Sequence, residues 1–210
     1  VLWATFFATL FLQLEFAILL GVFLSLVVYL LAASHPRVVV RMPNPNLPRR
    51  RFTTDAKLAE CPQLSMVRVD GPIFFGAVSY VAERLRAIGR RNPEQKHMLL
   101  FSRSITTLDV GGAEMLEQEA SNRRKSGGAL YLHGVEEQPL RTLIRGGYVA
   151  EIGEENLFET KTEAITQIFS RLDKNICTTC EKRIFLECQD VPRKRVVEAN
   201  SVSKPEDPDT

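Results

Sequence analysis

The sequence predicts an α/β domain, with a mixed, mostly parallel sheet and amphipathic helices, preceded by transmembrane helices. Three observations lead there: an almost unbroken apolar stretch from Val1 to Ala33, a basic and proline-rich segment after it, and short apolar runs alternating with amphipathic periods from Leu64 to Leu172. Strands that alternate with helices imply parallel pairing through right-handed crossovers. A span of about 110 residues, from 64 to 173, suffices to bury one small core.

The apolar stretch is read by length. A hydrocarbon layer of about 30 Å is crossed by about 20 helical residues, so Val1 to Ala33 exceeds one upright span. Gln13-Leu14-Glu15 is the polar interruption before Tyr29, and a carboxylate in mid-bilayer costs several kcal/mol. The expectation is that residues 1–12 end one span, that residues 13–15 turn in water, and that residues 16–33 form a complete second span. A single long tilted helix with Glu15 inside a bundle is the other reading. The chain opens Val1-Leu2-Trp3, with neither Met nor a basic leader, which reads as a fragment of a multi-pass membrane protein and not as a signal peptide. His35, Arg37, Arg41, Arg49, Arg50 and Arg51 then place the following residues on the cytoplasmic side of the cell (inner) membrane. Net charge is only +2, and no basic patch interleaves with aromatics, so nucleic acid is not expected as a partner. The juxtamembrane arginines suit anionic lipid.

The remaining elements follow in order. Pro36, Pro43, Pro45, Pro48 and Pro62 predict a linker over 34–63, with Arg51-Phe52-Thr53-Thr54 as a candidate edge strand inside it. Met66, Val67 and Val69, the turn Asp70-Gly71-Pro72, and Ile73-Phe74-Phe75 predict two strands joined tightly. Val78, Val81, Ala82, Leu85 and Ile88 recur at helical spacing until Gly89–Pro93. His97–Phe101 is a near-continuous apolar run, as a strand covered on both faces would be. Asp109 is a good N-cap for a helix carrying Ala113, Leu116 and Ala120, with Glu114, Glu117 and Glu119 preceding Arg123, Arg124 and Lys125 along the dipole. Gly127-Gly128 stops that helix, and Ala129–Leu132 is the next strand. A short helix from Pro139 to Arg145, a brief strand over Tyr148–Ile152 and a helix carrying Ala164, Ile165, Ile168, Phe169 and Leu172 complete the domain. Residues 174–188 are expected as a cysteine-containing helix or extension, and 189–210, charged and proline-rich, as disordered.

In a reducing compartment Cys61, Cys177, Cys180 and Cys188 are expected as free thiols. Cys177-x-x-Cys180 with Cys188 raises a zinc or thiol-sensor reading, but a tetrahedral site needs four ligands. On a helix Cys177, Cys180, Ile184 and Cys188 share one stripe, so packing against the sheet is favoured. His97 and His133 sit at strand ends without a catalytic partner. With no nucleophile, Walker or dinucleotide motif, the expectation is a non-enzyme with no cofactor and no resident metal.

The run Cys61-Pro62-Gln63-Leu64 through Arg68-Val69-Asp70-Gly71-Pro72-Ile73-Phe74-Phe75-Gly76, followed by Ile105-Thr106-Thr107-Leu108-Asp109-Val110-Gly111-Gly112, resembles the STAS domain of sulfate transporters and anti-sigma factor antagonists. Thr5–Leu10 and Leu14–Val22 resemble the last pair of spans of sulfate permease family anion transporters, so the resemblance runs from residue 1 to 188. It implies a secondary transporter for sulfate or a similar inorganic anion, whose cytosolic STAS domain regulates transport and contacts protein partners. The substrate would lie at broken helices near the midplane, upstream of Val1. Implied partners are membrane lipid, the anion, a cytosolic protein and a second copy in a homodimer. A membrane-anchored STAS module without transport is the alternative.

The resemblance also points to one loop. Where anti-sigma antagonists carry Asp-Ser-Ser-Gly, with a serine that a kinase phosphorylates, this chain has Asp109, Val110, Gly111 and Gly112. Glycine offers no oxygen to a phosphoryl group, so that switch is absent at Gly111. Thr106 and Thr107 read as turn hydroxyls. The free N–H groups and dipole at the helix start make Asp109, Val110, Gly111 and Gly112 the candidate regulatory, anion or partner contact. Asp109 is expected to cap, and the glycines to permit close packing or backbone approach. Arg123-Arg124-Lys125 reads as a solvated helix end, with a phosphate-bearing ligand as the alternative.

Overall fold

The computed structural model describes residues 2–3, 6–7, 13–43, 52–54 and 58–193. Helix α1 (Leu14–Ala33) opens the continuous part. Its Glu15–Ala33 portion has a mean hydropathy of 2.7 with 6% of it buried, so Phe16, Leu19, Val22 and Phe23 project outward. At 1.5 Å per residue it reaches about 28 Å, long enough to cross a hydrocarbon layer. Glu15 lies in its first turn and Gln13 at the N-cap position, so both polar side chains stand at the helix end and not at its middle. Before Gln13 the described residues, Leu2, Trp3, Phe6 and Phe7, are helical; the rest of the expected earlier span lies outside the described residues.

The strands are β1 (Arg37–Val40), β2 (Met42–Pro43), β3 (Phe52–Thr53), β4 (Leu64–Asp70), β5 (His97–Phe101), β6 (Leu130–His133) and β7 (Leu157–Phe158). The main sheet runs β1-β4-β5-β6-β7, parallel throughout except for β1 against β4. Helices α2 (Phe75–Arg91), α3 (Val110–Lys125), α4 (Glu137–Arg145), α5 (Tyr148–Ile152), α6 (Lys161–Arg171) and α7 (Lys174–Thr179) cover it. Side chains alternate across the sheet: Met98, Leu100, Leu130 and Leu132 join α2 and α3 in one core, while Leu99, Phe101 and Tyr131 join α6 in the other. This is why β5 is apolar at every position after His97.

Five sequence expectations change. Residues 66–69 and 73–75 do not form a tight pair. Ile73 donates its N–H to Thr107 and bridges Leu108 in parallel, which draws the chain away from β4 and into α2 by Phe75. A turn signal marks the bend without specifying where the chain goes next. The antiparallel partner of β4 comes instead from the predicted linker. Val38-Val39-Val40 is β-branched, and Pro36 and Pro43 flank β1 without interrupting its ladder. The candidate edge strand appears as Phe52–Thr53, paired with Met42–Pro43; residues 44–51, with Arg49, Arg50 and Arg51, lie outside the described residues.

Tyr148–Ile152 is a helix, bracketed by Gly147 at φ +74° and Gly153 at φ +92°. Only Ile152 of it is buried. The expected strand lies farther on, at β7, because so short an apolar run carries no usable period. Past α7, Cys180 to Leu186 is irregular and Glu187–Asp190 is a 3-10 turn, so Cys177, Cys180, Ile184 and Cys188 share no helix. The expected tail is described only to Arg193, with Gln189 and Asp190 inside that turn.

The end of α3 is not fully solvated either. Arg123 and Glu119, 9% and 10% exposed, pair at 2.7 Å. Arg123 also donates to the carbonyls of Gln95 and Lys96, locking α3 to the segment before β5. Arg124 pairs with Glu151 of α5 at 2.8 Å. Removing one member of a buried pair strands the other charge, so Arg123→Met is expected to cost about 3–5 kcal/mol in chemical denaturation, and adding Glu119→Leu to recover most of it.

Candidate functional site

The Asp109 loop leaves β5 and enters α3 on the face covered by α2. Asp109 is more than a cap for one helix. Its Oδ1 accepts the Gly112 N–H at 2.8 Å, and its Oδ2 accepts the Phe75 N–H at 2.7 Å. One carboxylate therefore serves the first turns of both α3 and α2, at the positive ends of two dipoles. Gln138 and Thr142 of α4 hold the preceding turn, through both backbone groups of Leu108.

The two glycines differ. A Cβ on Gly112 would lie 2.7 Å from Leu108 Cδ1 and 2.8 Å from the Ile73 carbonyl, whereas on Gly111 it would meet nothing closer than Asp109 Oδ1 at 3.6 Å. Close packing demands glycine at 112 alone. Because Asp109 already occupies the helix starts with negative charge, what the loop offers a visitor is apolar: Phe75 is 82% and Val110 60% exposed. Thr106 and Thr107 are exposed loop residues, past the turn at Arg103 and Ser104.

All four cysteines are free thiols and border one narrow cavity beside the second core, so Cys61 joins the three C-terminal ones. Burial pushes the Cys61 thiol up to about 11 and raises Cys177 and Cys188 as well. Protonated thiols are poor nucleophiles and poor ligands. Among the described residues no group of three or more His, Cys, Asp or Glu is placed to hold a metal ion. Gln63 ties α7 to β4, donating to the Asp173 carbonyl and accepting the Asp173 N–H.

His97 is half-buried, with Nδ1 3.1 Å from the Tyr131 hydroxyl. His133 is 4% exposed, on the second-core face at the end of β6. Burial first, then Lys161 and Arg103, pull it down to about 4. It lines a basic cavity with Arg41, Arg68, Arg103 and Lys161. Nothing local in the sequence joins these residues, since more than a hundred positions separate Arg41 from Lys161. The available signal was the place of Arg68, Arg103, His133 and Lys161 near or just past the ends of parallel strands, where open α/β sheets bind ligands.

An apolar helix long enough to cross a membrane leads directly into a layered α/β domain, with a doubly capped helix joint at the carboxyl end of its sheet. Residues 56–164 match the STAS domain, and the chain belongs to that family. Sulfate transporter 1.1 of Arabidopsis thaliana is 27% identical over 172 residues, 76% of this chain and 26% of its own length. The putative sulfate transporter YvdB of Bacillus subtilis (strain 168) is 24% identical over 164 residues, 78% of this chain and 29% of its own. This chain thus spans about a quarter of the length of such relatives. In fold it is similar to the murine Solute Carrier 26 family member A9 anion transporter in the inward-facing state, with a TM-score of 0.70 at 16% identity over 80% of this chain and 28% of that one.

Two outcomes are expected. Gly112→Ala lowers stability by about 1–3 kcal/mol, whereas Gly111→Ala leaves it unchanged or raises it by up to about 1 kcal/mol, as thermal unfolding would show. For His133, whose folded pKa lies below the unfolded value of 6.5, the unfolded chain takes up the proton first as pH falls. Its contribution is complete above pH 6.5 and drains away down to about pH 4, about 3 kcal/mol in all. Urea midpoints at both ends of that window should converge in His133→Leu.

Proposed function

We propose that this chain is the C-terminal part of a secondary transporter for sulfate or a similar inorganic anion, with the STAS domain facing the cytoplasm and regulating transport. The observation that supports regulation most directly is the junction. Ser34, His35 and Pro36 alone separate α1 from β1. Ser34 Oγ donates back to the Leu30 carbonyl at 2.7 Å, the His35 ring meets Tyr80 of α2 at 4.8 Å, and Pro36 packs where Gly71 turns. With so short and so engaged a connection, rotation of the domain displaces the end of the apolar helix, which is how rigid-body switches pass between layers. The names of the similar sulfate transporters support the anion class. Lipid around α1, a cytosolic protein on the Phe75 and Val110 surface beside Asp109, and a second copy of the chain are the partners in this reading.

The exposure of Phe75 and Val110 also favours a second reading, a membrane-anchored docking module without transport. A longer chain that includes this sequence, reconstituted in liposomes, separates the two. Saturable sulfate uptake that changes by roughly fivefold or more in His35→Ala/Tyr80→Ala is expected. No uptake of sulfate or any other inorganic anion contradicts transport, and uptake indifferent to those substitutions contradicts coupling through the junction.

A further inference from the structure

Four parallel strands end at one edge of the sheet, and each brings a basic or imidazole side chain there. Arg68 stands near the end of β4, Arg103 just past β5, His133 at the last position of β6 and Lys161 shortly past β7. Arg41, which follows β1, completes the set, and all five line one cavity of about 610 Å³. Phe52 and Phe101, with ring centroids 5.1 Å apart, form its apolar wall, and Lys161 Nζ lies over both rings. The volume is that of a small-molecule site. It lies on the second-core face, across the sheet from Asp109.

Three observations point to an anionic occupant. First, among the described residues the cations are poorly neutralised. Glu159 lines the cavity, and Asp70 is engaged by Arg68 at 2.5 Å. The four cations crowd one another: burial and then the charges of Arg103, Arg68 and Arg41 draw the Lys161 ammonium below its ordinary range. Second, His133 is 96% buried, and its Nδ1 has no hydrogen-bond partner among the described residues; Arg41 Nε is likewise buried and unpartnered. Leaving such groups unsatisfied is costly, and a ligand oxygen would remove the penalty. Third, the 11-residue α6 starts at this cavity, at Thr160 and Lys161, so its positive end reinforces the field.

We propose that this cavity is an oxyanion site of the STAS domain, taking a sulfate or phosphate group, either free in solution or carried by an anionic lipid headgroup. The two sources are both within reach, because α1 enters the sheet through Arg37 opposite Asp70, at the same strand end as the cavity. The proposal stands independently of transport activity.

The test uses the whole chain in nanodiscs of zwitterionic lipid. Sodium sulfate and sodium phosphate are titrated against sodium chloride at constant ionic strength, which removes general screening, while the His133 ring signals are followed by NMR. A saturable shift with either oxyanion and none with chloride is expected. Lys161→Gln and Arg103→Gln, both at exposed positions, should each weaken it roughly tenfold, and Arg84→Gln on the outer face of α2 should not. Melting temperatures without ligand show that each variant is folded; if one is not, the other carries the comparison. A second arm replaces part of the lipid with anionic phospholipid and adds no oxyanion. The same His133 shift there identifies the headgroup as the source, and a shift only with added salt identifies the free ion. A response equal to that of chloride in both arms, or binding indifferent to both substitutions, overturns the proposal.

Discussion

Backbone hydrogen bonds between β1 and β4, in register from Arg37 opposite Asp70 to Val40 opposite Val67, carry the first strand after the apolar helix into the main sheet. Much else depends on them. Without β1, β4 would be an edge strand with a row of unpaired donors and acceptors, although its Val67 and Val69 are wholly buried. With β1 in place, Val38 joins the first core, and His35 and Pro36, just past α1, lie against Tyr80 of α2 and the Gly71 turn. The apolar helix is thereby joined to the domain by a strand ladder and the His35–Tyr80 contact instead of a slack tether.

The carboxyl end of the sheet is divided by charge. On the α2 and α3 side, Asp109 satisfies the first turns of both helices itself, which leaves a closed joint with Phe75 and Val110 facing outward. On the α6 side, Arg41, Arg68, Arg103 and Lys161 converge around a buried imidazole with few acids among the described residues to balance them. The first arrangement suits a protein surface and the second an oxyanion. Both follow from parallel topology, which delivers every strand-to-helix loop to the same edge.

Strong periodicity made most of the domain legible in the sequence. Val81, Leu85 and Ile88 announce α2, the continuous apolar run announces β5, and Asp109 announces the start of α3. What escaped was long-range or weakly periodic. Arg37–Val40 lay among prolines and basic residues that read as linker, although three consecutive β-branched residues were the available cue. Tyr148–Ile152 was too short to reveal its period, and its flanking glycines serve helix ends as readily as strand ends. Arg123 carried a surface composition but is held inside by Glu119 and two carbonyls. The Asp109 cap could be read locally, but its bond to Phe75 and the basic cavity could not, since each joins residues far apart in the chain.

Amide hydrogen exchange at Arg41 in the whole chain, reconstituted in lipid, tests the central claim most directly, because its N–H donates to the Met66 carbonyl at 2.8 Å where β1 leaves the sheet. Protection approaching that of the β5 amides is the result expected of a helix and domain joined through the sheet. Exchange at the rate of an unstructured linker would mean that the segment after α1 is a flexible tether, and the account of a single coupled unit would be wrong.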